Sequence, residues 1–180
     1  TPAGSLPTDE DLFSTITTGF PYYGMPSFAH LSASERRLLV DHTKTLSPYF
    51  SQEDVSPAIE IPPPTGKANA AARGKSVYRE SGCAMCHGLE GRGDGTSADL
   101  LTDDWNNPSP PRDLTRPASY KAGSTAEDIA RILVTGMSGT PMPSYAEVLD
   151  ADSLWALAYY VEELADGGQQ QWKRKWDELD

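Results

Sequence analysis

Apolar residues recur at helical spacing in four stretches of this chain. Ala70, Gly74, Val77 and Tyr78 form one side of a helix that runs into Cys83. Thr125 and Asp128 have the spacing of a capping box, and Ile129, Ile132 and Leu133 follow on one face. Leu154, Leu157, Ala158, Val161 and Leu164 make the stripe of a last helix, predicted to end near Gly167-Gly168. Ser32 with Glu35 opens a further helix through about Leu46. No segment alternates with a strand's period over a useful length, so the fold class is mostly α.

The patterns also repeat. At a shift of 117, Glu10-Asp11 falls on Glu127-Asp128, Thr18-Gly19 on Thr135-Gly136, and Met25-Pro26 on Met142-Pro143. At a shift of 118, Leu31, Ala33, Leu39 and Leu46 fall on Leu149, Ala151, Leu157 and Leu164. This is an internal repeat of helix, Met-Pro turn and capped helix. It divides the chain into a front unit at 1–50, a Pro-rich connector at 51–66, a longer unit at 67–166 and a tail at 167–180. Pro62-Pro63-Pro64 is predicted to be extended and stiff. The tail places Trp172 and Trp176 at i,i+4, an amphipathic pair.

Composition narrows the function. The chain has 180 residues with four Trp, eight Tyr and four Phe, enough for small packed cores. A net charge of −11 argues against nucleic acid as a partner. Three basic against eight acidic residues in 1–66, and nine against fourteen in 67–165, make both units acidic. Each therefore suits a basic docking surface on another protein. No run of about 18 apolar residues is present, so no membrane-spanning helix is predicted.

The two cysteines carry the chemistry. Cys83-Ala84-Met85-Cys86-His87 is C-x-x-C-H, the attachment pattern of c-type heme. Two thiols three positions apart on a helical turn reach the two vinyl groups of one porphyrin, and the adjacent imidazole lies under the iron. A thioredoxin-like C-x-x-C would want a βαβ context, but a helix precedes Cys83. A structural zinc site needs four ligands, and His30 or His42 would have to complete it from another segment. Met142, in Gly139-Thr140-Pro141-Met142-Pro143, lies 55 positions after His87 and is the candidate sixth ligand. Met137 and Met85 are weaker candidates. Arg112 is a candidate contact for a heme propionate, and Trp105 is expected to pack under the loop between Gly88 and Ser124.

Gly74, Tyr78, Gly82-Cys83-Ala84-Met85-Cys86-His87-Gly88 and the later Gly-Thr-Pro-Met-Pro resemble a bacterial class I cytochrome c domain over about 67–165. Gly91-Arg92-Gly93-Asp94-Gly95 and Pro111-Arg112-Asp113-Leu114 resemble the subset found in bacterial respiratory cytochromes. The resemblance implies a small helical fold around one heme, with first and last helices crossing, and electron transfer as the activity. On this reading the chain holds two tandem units, the second complete and the first lacking its heme-attachment half.

Met25 is then the candidate axial ligand of a second heme c, attached to an upstream segment or companion chain outside this sequence, with His30 and His42 as weaker candidates. The alternative is a degenerate copy that has lost its heme and packs Met25 against the neighbouring unit. An apolar face of the front unit, including Leu12, Phe13, Ile16, Leu38 and Leu39, is expected to lack a cover. The function implied is that of a periplasmic respiratory electron carrier or electron-transfer subunit, not an enzyme. The rivals are a diheme peroxidase-type enzyme, which would need an open iron site, and the cytochrome subunit of a larger dehydrogenase.

Overall fold

A computed structural model describes residues 5–20, 24–57, 59–64 and 66–177, the side chains of 172, 173 and 175–177 excepted. The chain divides into two compact units at Ile59/Glu60, inside the expected connector. Both are helical, and among the described residues there is no sheet, only two isolated bridges, Phe20 with Met25 and Thr102 with Pro108.

The first unit contains α1 (Asp9–Thr18), α2 (Ala33–Thr45) and a single turn, α3 (Tyr49–Gln52). Thr8/Asp11 and Ser32/Glu35 cap α1 and α2 with reciprocal hydrogen bonds, which satisfy amides that the first turn leaves without partners. Arg37–Glu10 at 2.7 Å and Lys44–Asp9 at 2.8 Å tie the two helices together. Ile16 and Val40 are its buried apolar side chains. The expectation of an open apolar face needs correction. Ile16 is enclosed, and the Phe13 ring lies under two guanidinium groups, Arg36 at 4.7 Å and Arg37 at 4.3 Å. Leu38 does remain open, at 67% exposure.

The second unit contains α4 (Ala70–Glu80), α5 (Cys83–His87), α6 (Ala126–Thr135) and α7 (Ala151–Asp177). Its core is the crossing of α4 and α7. Gly74 brings the α4 backbone against the Ala156 carbonyl, where a Cβ would collide. One turn on, Tyr78 and Tyr160 stack edge to face at 5.4 Å. From Leu154 to Val161 every residue of α7 is buried, because other parts of the unit enclose it on several sides. Thr125 and Asp128 close a capping box on α6, and Asp150 receives the Ser153 amide at the start of α7.

Two boundaries differ from those read off the sequence. α7 does not stop at Gly167-Gly168 but runs to Asp177. Gly168 is a notch rather than a cap: its bare Cα lies against the Thr115 backbone, where no side chain fits. The Trp172–Trp176 pairing lies outside the described side chains. In addition, the last part of the connector belongs to the second unit, since the Trp155 indole N–H donates to the Pro62 carbonyl at 2.8 Å.

Candidate functional site

α5 is one helical turn, and its end carbonyls are all used. Gly88 N–H donates to Ala84 O at 3.0 Å, Gly93 N–H to His87 O at 2.8 Å, Gly95 N–H to Cys86 O at 3.0 Å and Ser97 N–H to Met85 O at 2.9 Å. The glycine-rich loop thus wraps the turn and fixes where Cys83, Cys86 and His87 point. The buried Tyr78 hydroxyl donates to Gly88 O at 2.7 Å, tying α4 to the same turn.

Cys83 is buried and Cys86 half-buried, and no disulfide joins them. Burial pushes the Cys83 thiol up, a bond to Tyr145 opposing it; burial likewise pushes the Tyr145 phenol up to about 12. His87 Nδ1 lies 2.9 Å from the Arg112 carbonyl. That oxygen can only accept, so Nδ1 carries the proton and Nε2 keeps its lone pair. Burial lowers the imidazole pKa, the bond to Arg112 opposing it, and so favours the neutral ring that binds metals.

Cys83, Cys86, His87 and Met142 line one cavity of about 230 Å³. Leu101, Ile129, Leu133 and Val161 supply much of its apolar wall. Met142 sits in a closed strap: Met137 N–H donates to Met142 O at 3.1 Å, and Thr140 Oγ1 donates to Met137 O at 2.9 Å. Ser144 Oγ then donates to Val134 O at 2.6 Å and anchors the strap to α6. Two thiols on one turn, an imidazole with Nε2 available, and a thioether on the same apolar cavity form a donor set that fits a covalent heme. Among the described residues no three His, Cys, Asp or Glu side chains cluster to hold a metal ion, which leaves the zinc alternative without its ligands.

Arg112 lines this cavity, and its backbone carbonyl is what orients His87. Sequence gave no signal for that, since any residue type supplies a carbonyl. The Tyr120 hydroxyl, for which no sequence pattern gives a signal, donates to Leu114 O at 2.7 Å on the cavity wall. Tyr145, three positions after Met142, lines the same cavity. Trp105 does not pack under the loop. It is 73% exposed.

Over its described residues the first unit repeats four of the strap's hydrogen bonds. Gly19 closes α1 at φ 66° with its amide on Thr15 O at 2.8 Å, and Gly136 closes α6 at φ 70° with its amide on Ile132 O at 2.8 Å. Phe20 N–H donates to Met25 O at 2.9 Å, the counterpart of Met137 and Met142. Ser27 Oγ donates to Thr17 O at 2.7 Å, matching Ser144, and Phe28 N–H meets Ile16 O as Tyr145 N–H meets Leu133 O. Met25 is half-buried, while His30 and His42 are exposed.

The cytochrome c family pattern matches residues 71–165. Among solved structures, a chain of the Kuenenia stuttgartiensis reducing HAO-like protein complex aligns with a TM-score of 0.84 and 38% identity. The alignment covers 91% of this chain and 75% of that one. No curated protein matches.

Proposed function

From the premise that this chain belongs to the cytochrome c family, we propose that its second unit holds one heme c and passes single electrons between protein partners. Cys83 and Cys86 would anchor the heme through thioethers, and His87 Nε2 and Met142 Sδ would hold its iron. The bound heme supplies a one-electron ferric/ferrous couple. The protein's part is to hold and tune it: the Arg112 carbonyl fixes His87, the Pro-flanked strap presents the thioether, and the apolar wall excludes water. The Arg112 guanidinium is a propionate contact in this reading. The observation that carries the proposal is the gathering of both thiols, the imidazole and the thioether on one apolar cavity.

The role proposed is electron-carrying subunit or carrier rather than enzyme, because a Met-ligated iron has no open position for substrate. The similar Kuenenia chain is part of a protein complex, which supports the subunit form. The proposed location is the periplasm, since heme is joined to C-x-x-C-H outside the cytoplasmic membrane. No described helix is long and apolar enough to cross a membrane. Mass spectrometry of the purified protein is expected to place one heme on the peptide containing Cys83 and Cys86. An unmodified peptide from protein matured with heme would refute the proposal.

A second reading concerns the first unit, and its support is the repeated strap. We propose that this unit is the Met-bearing half of another cytochrome c domain, with Met25 as axial ligand of a second heme c. The thiols and imidazole for that heme would come from a segment outside this sequence, contiguous or on a companion chain. Leu38 fits this reading. The residue 118 positions on, Ala156, meets Gly74 of α4, so Leu38 occupies the face that an α4-like helix covers in the second unit. Two hemes per intact assembly, with Met25→Ala changing the spectrum of one, is the expected result; one heme per assembly would refute it.

A further inference from the structure

The strap carrying Met142 is met at its tip by a loop that the ligand set does not explain. In residues 103–107 the Asp103 carboxylate accepts from the Trp105 amide at 2.9 Å, the Asn107 amide at 2.8 Å and the Asn107 side chain at 3.2 and 3.3 Å. Asp103 N–H in turn donates to Asn107 O at 2.9 Å. These bonds to the ionised carboxylate hold its pKa below the usual range. The result is a small knot with Trp105 at its head.

The knot touches the strap twice. Asp104 N–H donates to Gly139 O at 3.2 Å. The benzo edge of Trp105 lies on Gly139: a Cβ built there would stand 3.1 Å from Cζ3 and 3.3 Å from Cη2. Gly139 has φ +75°, so the strap takes a left-handed turn where the indole rests. An indole left 73% exposed contributes little to a core, and its close contact is to a segment three residues from the thioether.

We propose that Trp105, held by the Asp103 knot, is a positioning residue that braces the Met142 strap and keeps the thioether on the iron. For Met142 to leave, the 137–142 turn must move, and the hydrogen bonds within that turn move with it. Bonds inside a moving body do not resist its motion; the contacts from Asp104 and Trp105 do. This inference rests on the reading of Met142 as axial ligand and adds what keeps it there.

The test uses the heme-loaded full chain and carbon monoxide as probe. Trp105→Ala is expected to keep the far-red sulfur-to-iron band at neutral pH but to lose it at lower pH than wild type on alkaline titration. The rate of carbon monoxide binding to the ferrous second-unit heme is expected to rise about tenfold, equivalent to about 1.4 kcal/mol in strap opening. Trp105→Phe, which keeps an aromatic edge, is expected to restore much of the wild-type behaviour. The midpoint of global unfolding is expected to stay close to wild type in both variants. Unchanged carbon monoxide rate and band titration in Trp105→Ala would overturn the proposal. So would a rate increase matched by an equal loss of global stability. Met142→Ala separates the two claims: if it retains the band, the ligand reading itself fails and the brace falls with it.

Discussion

Met142 and His87 bear the account at the scale of single residues. They were readable as candidate ligands because C-x-x-C-H sets three donors within five positions and a Pro-flanked Met follows, and the structure brings all four side chains to one cavity. What sequence could not give was the partner of His87 Nδ1, because the Arg112 carbonyl is a backbone group brought 25 positions back by the loop. The misplacement of Trp105 has a similar cause. Burial is expected for tryptophan from composition, but the Asp103 knot turns this one outward onto Gly139. Replacing Met142 by Ala is expected to remove the far-red band and lower the reduction potential, since a thioether favours ferrous iron. Potentiometric titration with absorbance detection checks both.

At the scale of elements, capping boxes located α2 and α6, apolar stripes located α4 and α7, and the repeat located α1. The end of α7 was misread for a physical reason. A Gly-Gly pair signals a stop when the chain needs a left-handed turn, but here Gly168 is required by contact with Thr115, which no local pattern encodes. Thr125→Ala removes one side of the α6 capping box and is expected to cost about 1 kcal/mol in denaturant unfolding. Gly74→Val drives a side chain into the Ala156 carbonyl at the α4–α7 crossing. It is expected to cost roughly 1–3 kcal/mol, read by the same unfolding assay on the heme-loaded protein.

At the scale of the molecule, the acidity of both units is what bears on the proposed docking to redox partners. The charge imbalance in 1–66 and 67–165 has one sign, so association with a basic partner surface is expected to slow as salt rises from low to physiological ionic strength. Stopped-flow reduction by a cationic and an anionic redox protein of similar potential checks the sign, and equal salt dependence for both would speak against electrostatic docking. The proposed tandem organisation rests on the repeat, because the front unit has no cysteine of its own. The absorption spectrum of the reduced, heme-loaded protein with and without carbon monoxide tests the central claim most directly. A covalently held, six-coordinate His/Met heme that carries electrons gives a c-type spectrum left essentially unchanged by the gas. Rapid, stoichiometric carbon monoxide binding would reveal an open iron position in the second unit and contradict the account.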